Sequence, residues 1–388
     1  MATEGCTETP AWIAAAIQEM GGVVSGERFM ELALYHPVHG YYQKRGASLG
    51  REGDFVTAPI LTSLFGELLC LQMIEIWEIM GAPAHFVLIE MGPGTGHLAE
   101  DIIRTSQKFP RFLEALDYRL VETSPVFREM QQHRLQKTTA PLGCHWYASL
   151  QDAAGDGVEG VLFGNEFLDA LPVRWLEMTS EGLREVGVVV SRSGTLALTT
   201  MPLGSGLDPN YFKRLGLELP VGMRTEVCLR GQEWMRLAGR VLRRGVVLMV
   251  DYGYTDRDYY APERCQGTLV GHYRHQRVDD PVAHPGEMDL TAHVDFSAMA
   301  RAGCAAGLTV CGYTTQGWFF MGLGLLERLQ GVARSQKDGG LGRAIRQSAL
   351  RLILPEEMGE RFKVLALCAG LKNVELSGYR LKNQRDEL

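Results

Sequence analysis

Three glycines at alternate positions, Gly92, Gly94 and Gly96, stand in the run "VLIEMGPGTGHLAEDI" (residues 87 to 102), between an apolar stretch and a helical one. A strand feeding a glycine turn that opens a helix brings backbone N–H groups close to a ligand, because glycine has no Cβ to keep it away. That chemistry suits a small molecule with an anionic end. A dinucleotide fingerprint reads G-x-G-x-x-G, and here its third place is His97. Glu90 lies two residues before Gly92, and Glu122 lies 26 residues beyond Gly96. A carboxylate at the end of the following strand accepts both hydroxyls of an adenosyl ribose. Thr123, next to Glu122, and Asn165, at the end of a later apolar run, belong to the same candidate binding set. Glu166 and Asp169 in "NEFLDALP" are candidate catalytic carboxylates, three apart and so on one face if the segment turns helically. The competing readings make the glycine turn a structural helix entry, Glu122 a neighbour of a helix N-cap, Asp169 a turn cap before Pro172 and Glu166 a solvated side chain.

Positioning such residues takes alternating strands and helices. Strand "FVLIEM" leads to a helix over 96–108, and strand "YRLVE" leads to one over 125–136; "HWYAS" and "GVLFGNEF" follow as strands. Residues 173–201 alternate apolar and polar around Glu181-Gly182 and Ser193-Gly194, which predicts an antiparallel meander inserted after the fourth strand. The core resumes with a helix over 231–243, strand "VVLMVDYG", a helix near 293–306, strand "LTVCGYT" and a last strand "FKVLALCAG". The expected fold is α/β, a Rossmann-like seven-stranded sheet ending in an antiparallel edge. Ahead of it, residues 10–35 carry helical spacing in Trp12, Ile13, Ala16, Ile17 and Met20, then Phe29, Leu32 and Ala33. The polar run that follows predicts a lid in which Asp54, Phe55, Thr57 and Pro59 fold over the ligand, before an apolar helix beginning near Thr62. Residues 1–84 are thus expected as an N-terminal helical extension and lid, and 85–388 as the core, with insertions at about 173–230 and 254–290. "GTLVGHYRHQ" reads as a lid or acceptor-binding segment with Tyr273 and His275 as contacts.

Composition narrows the partners. The chain has 388 residues, net charge −7 and pI near 5.9, so no broad positive field favours nucleic acid. Hydrophobic content of 46% and charged content of 22% are those of a globular protein. The eight cysteines include no C-x-x-C pair, which reads as reduced thiols. Histidines 36, 39, 272, 275, 284 and 293 fit no common ligand spacing, and no metal is expected. Without a basic and apolar leader or an arginine-bearing transit segment, the expected location is cytoplasmic, and the final "RDEL" is a charged terminus. No apolar run reaches membrane-spanning length, so no membrane insertion is expected. Oligomeric state is left open.

The G-x-G-x-G spacing with Glu90 ahead of it is similar to the motif of class I methyltransferases that use S-adenosylmethionine (SAM). Over almost its whole length the sequence resembles the MidA-type methyltransferase family. The resemblance is carried by "HGYYQK" (39–44), "GDFVTAP" with "LFGE" (53–59, 64–67), "EMGPGTGHLAEDIIR" (90–104), "VETSP" (121–125), "NEFLDALPV" (165–173), "VDYGY" (250–254), "PGEMDLTAHVDF" (285–296) and "MGERFKVLAL" (358–367). It implies SAM as cofactor, held by Glu90, the three glycines, Glu122, Thr123, Asn165, Thr57 and Pro59. It also implies a protein acceptor, since mitochondrial members symmetrically dimethylate an arginine of a complex I subunit, and a matrix location in a eukaryote. A guanidinium is protonated at physiological pH and has no free lone pair, so paired carboxylates such as Glu166 and Asp169 would orient it and take its proton. The chain departs from the family at Ile60, where glutamate is usual, and at Thr95, where some members have arginine. A methyltransferase of a small molecule or RNA, and a non-catalytic SAM-binding assembly chaperone, are the alternatives; a pure binding module has no need of an acidic "NEFLDALP" loop.

Overall fold

Seven apolar runs become the strands of one sheet: β1 (Phe86–Met91), β2 (Leu116–Val121), β3 (Cys144–Tyr147), β4 (Val158–Asn165), β5 (Leu242–Tyr254), β6 (Thr309–Thr315) and β7 (Phe362–Ala369). The structure, a computed structural model, describes residues 9–44, 58–138, 143–335 and 339–388. Across the sheet the order is β6-β7-β5-β4-β1-β2-β3. Strands β3, β2, β1, β4 and β5 are parallel neighbours, and β7 runs antiparallel between β5 and β6. The two-residue strand Val294–Asp295 lengthens the sheet beside the end of β5.

All six residues of β1 are buried, as a central parallel strand covered on both faces requires. Its side chains alternate between two cores. Phe86 and Leu88 pack with the helices Leu64–Ile79, His97–Ser106 and Gln316–Gly322. Val87 and Ile89 pack on the other face with Leu150–Ala154, Leu229–Val241 and Phe296–Ala305. The chain runs from β1 outward through β2 to β3, then returns to place β4 on the other side of β1. Ligands in such sheets bind outside the carboxyl ends of the two strands at this reversal.

A second sheet grows from the insertion after β4: Arg174–Thr179, Gly182–Val190 and Leu196–Met201 form the expected meander, and Arg224–Val227 joins its far side. Val23–Ser25 joins the middle strand of the meander, paired antiparallel with Val189 to Gly187, across that strand from Leu196–Met201. The helical spacing read over residues 10–35 is therefore broken in the middle. Gly21 and Gly22 take φ of +93° and +86°, which ends the helix Ala11–Glu19 and sends the chain into a strand before Gly26–Tyr35. A three-stranded sheet, Val270–Tyr273, Gln276–Val278 and Asp289–Thr291, comes from the segment after β5. The N-terminal helices, the inserted sheet and Leu290 share one apolar cluster, over which the turn Tyr41–Gln43 closes.

Candidate active site

The glycine turn leaves β1 with Gly92, Gly94 and Gly96 at φ of +58°, +53° and +80°, values that a side chain makes costly. Gly96 is the N-cap of His97–Ser106 and, among the described residues, no side chain caps the helix, which offers its first N–H groups to a ligand. The turn is clamped from outside: Gln131 Nε2 donates to Gly94 O at 2.7 Å and Arg134 Nε to Thr95 O at 2.9 Å. Thr95 Oγ1 is itself 2.7 Å from His97 Nδ1.

A cavity of about 400 Å³ opens at the carboxyl ends of β1, β2 and β4. Of the described members of the expected binding set, Glu90, Gly92, Gly94, Glu122, Thr123, Asn165 and Pro59 line it, and Gly96, the N-cap of the following helix, does not. Thr57, with Asp54 and Phe55, lies outside the described residues. Ile60, Thr95, Glu166 and Asp169 also line the cavity. Where sequence reading chose Tyr273 and His275 as contacts, the strand turns their neighbour His272 to the cavity; Tyr273 instead stacks on His284 at 4.1 Å.

Glu122 follows β2, where Oε1 accepts from Ser124 N at 2.8 Å and Oε2 from Gln131 Nε2 at 3.2 Å. Gln131 thus ties Glu122 to the glycine turn, and Trp146 Nε1 fixes its amide from behind at 2.9 Å. Glu90 accepts from Tyr118 O–H at 2.6 Å; burial, opposed by that bond, raises its carboxyl to about 7.

Glu166 and Asp169 follow β4 on a loop with an unusual backbone. Glu166 has φ of +49°, a left-handed value for a residue with a side chain, and its N–H is held by Val250 O at 2.9 Å. Such strain persists where the surroundings enforce it. The enforcing group is Asp251, on β5, whose Oδ2 accepts from the N–H groups of Phe167, Leu168 and Asp169 at 3.1, 2.9 and 3.3 Å. Burial raises Asp251 above the usual carboxylate range, with Asp169 and Glu166 adding to it, while its backbone donors oppose the shift. Loss of water and the nearby Asp169 lift Glu166 to about 8, and burial lifts Asp169 to about 7. Asp289 adds a fourth negative group, acting on both.

The sequence run "VDYGY" contained Asp251 and "PGEMDLT" contained Asp289, yet neither spacing nor polarity gave either residue a task. Only the pairing of β5 beside β4, and of Asp289–Thr291 beside Val270–Tyr273, brings them here.

Three polar atoms lining the cavity are buried without a hydrogen-bond partner among the described residues: Asn165 Oδ1, Asp169 Oδ1 and Trp234 Nε1. Orphaned groups of this kind mark a place where a ligand completes the bonding. With an uncapped helix N-terminus for a carboxylate, acids for an ammonium and a ribose, and apolar walls from Met91, Val121 and Phe127, the residues fit SAM.

The comparisons with known proteins agree with this geometry. A family model described as "Putative S-adenosyl-L-methionine-dependent methyltransferase" matches residues 68–314. Protein arginine methyltransferase NDUFAF7, mitochondrial, of Danio rerio is 32% identical over 382 residues, covering 89% of this chain and 83% of that protein. Its Drosophila melanogaster homologue is 30% identical, covering 92% and 84%. A crystal structure of a superfamily member from Burkholderia thailandensis bound to S-adenosyl-homocysteine matches with a TM-score of 0.88 at 31% identity, over 97% of this chain and 96% of that one. The chain belongs to this family of SAM-dependent methyltransferases, an enzyme with S-adenosylmethionine as its methyl donor.

Proposed function

We propose that this enzyme methylates the guanidinium of a protein arginine, and that its acceptor is a subunit of a complex I-type respiratory assembly, met in the bacterial cytoplasm or the mitochondrial matrix. The names of the relatives support a protein arginine acceptor, and the family likeness supports the subunit. The observation that carries the reading is the acidic end of the cavity, where Glu166 and Asp169 stand together with carboxyls raised to about 8 and about 7. Carboxylates that repel one another when the site is empty are relieved by a cation, and a guanidinium brings that charge with a fork of donors.

Bound SAM supplies an electrophilic methyl group. The protein aligns the acceptor nitrogen with it and excludes water. Phe167, Tyr35 and Tyr42 enclose the acidic end. Glu166 and Asp169 orient the guanidinium, and as the nitrogen gains its methyl group one of them takes the proton the nitrogen loses. The strained turn at Glu166, pinned by Asp251 through the loop N–H groups, holds that carboxylate in place before the acceptor arrives.

The test is transfer of label from methyl-labelled SAM to proteins of a lysate, followed by hydrolysis and amino-acid analysis. Label is expected in methylarginine. Glu166→Gln should lower turnover by roughly 10²–10⁴, the range for loss of a positioned acid–base group, with S-adenosyl-homocysteine affinity kept. Label in lysine, in RNA or in a small molecule would overturn the arginine reading, and no transfer at all would favour an assembly chaperone.

A further inference from the structure

We propose that Asp289 is an acceptor-binding residue, a third carboxylate that grips the guanidinium, and that Tyr42 is its positioning residue. The inference rests on the arginine reading above and names a further part of that site. Asp289 opens the strand Asp289–Thr291, stands opposite His272 in register and lines the cavity while only 6% exposed. Its charge acts on Glu166 and on Asp169, so all three carboxyls share the same end of the pocket.

The three come from two independent elements. Glu166 and Asp169 ride on the loop after β4, and Asp289 on a strand contributed by the segment after β5. A planar guanidinium held from one loop alone can pivot; one held by carboxylates from two elements has its plane fixed, and with it the direction of the attacking nitrogen.

Tyr42 sets Asp289. Its O–H donates to Asp289 Oδ1 at 2.6 Å, and burial, with the Asp289 charge, keeps that phenol protonated far above its usual range. That bond fixes the orientation of the carboxyl group that would meet the guanidinium. Among the groups around Asp289 are Tyr42, Tyr35, His272, Glu166 and Asp169. The backbone of Tyr42 is anchored at the other half of the site, where its carbonyl accepts from Ser124 Oγ at 2.7 Å and Ser124 N donates to Glu122. Lys44 Nζ adds a bond to Gly286 O at 2.8 Å, three residues before Asp289. The turn Tyr41–Gln43 therefore spans from the ribose-side acid to the acceptor carboxylate.

The experiment measures binding of an ethylguanidinium salt to the full-length protein saturated with S-adenosyl-homocysteine. Wild type should bind it in preference to an ethylammonium salt. Asp289→Asn should weaken binding roughly tenfold to a hundredfold, the worth of a charged hydrogen-bonding partner, and Tyr42→Phe several-fold, both with S-adenosyl-homocysteine affinity unchanged. With the acceptor protein identified by labelling, taken in its unmethylated form, as substrate, Tyr42→Phe should raise acceptor KM and leave kcat near wild type; a merely structural role would lower thermal stability and kcat together. Unchanged guanidinium binding in Asp289→Asn, alongside loss in Glu166→Gln, would overturn this proposal and leave the arginine reading standing. Failure of wild type to prefer the guanidinium would overturn both.

Discussion

At the scale of single residues, the raised carboxyls dictate how the enzyme responds to pH. Glu166 titrates at about 8 and Asp169 at about 7, both lifted first by loss of water. A cationic acceptor binds their ionised forms, so acceptor kcat/KM should climb as pH rises from about 6 to about 8 and then level, by up to tenfold per unit where one ionisation limits it. Glu166→Gln should remove the upper inflection from that profile, and a flat wild-type profile would contradict the assignment. Stability runs the other way. A carboxyl raised in the folded state keeps a proton that the unfolded chain releases above about 4.5, so the ligand-free protein loses stability as pH climbs toward about 8. Legibility at this scale was uneven. Glu122 and the three glycines were marked by position after a strand, whereas Gln131, Asp251 and Asp289 carry no such mark. Each is a single polar residue in an ordinary setting, and its partner is distant in sequence.

At the scale of elements, the loop after β4 and the start of β5's outer end work as one unit. Asp251 does for this loop what a cap does for a helix, gathering N–H groups that the turn leaves without partners. Asp251→Asn puts an amide where those donors converge and leaves one or more of them unpaired, at a cost of about 1–3 kcal/mol. The expected result is lower thermal stability and at least tenfold lower turnover, while S-adenosyl-homocysteine binds nearly as in wild type. Equal activity would mean that the Glu166 backbone holds its strained conformation without help. Periodicity identified the strands and most helices of the core, since β1 to β7 coincide with the apolar runs read from the sequence. It missed the strand Val23–Ser25 because three residues are too few to show a period, and because their pairing partner lies more than 160 residues away.

At the scale of the whole molecule, a donor site built from β1, β2 and β4 couples ligand binding to the stability of the central sheet. S-adenosyl-homocysteine at a hundred times its Kd should stabilise the fold by about 2.7 kcal/mol, read as a rise in Tm, and NAD at the same concentration should not. A larger shift with NAD would contradict the cofactor. Among the described residues no helix is long and apolar enough to cross a membrane, and the net charge of −7 gives no general attraction for anionic surfaces.

The sequence by itself determined the sheet and the position of the glycine turn upon it. Both follow from local rules, a run of apolar residues for each buried strand and glycines where φ must be positive. It also marked Glu166 and Asp169 as acids at a strand's carboxyl end, and the structure places both at the cavity. Tertiary structure decided the rest of the pocket. The N-terminal turn brings Tyr42 over Ser124, the inserted sheet takes Val23–Ser25 beside its middle strand, and the segment after β5 folds back to set Asp289 against Tyr42. These contacts join segments as far as 247 residues apart. No period or spacing encodes them, because they depend on which buried polar groups meet once the apolar faces have packed.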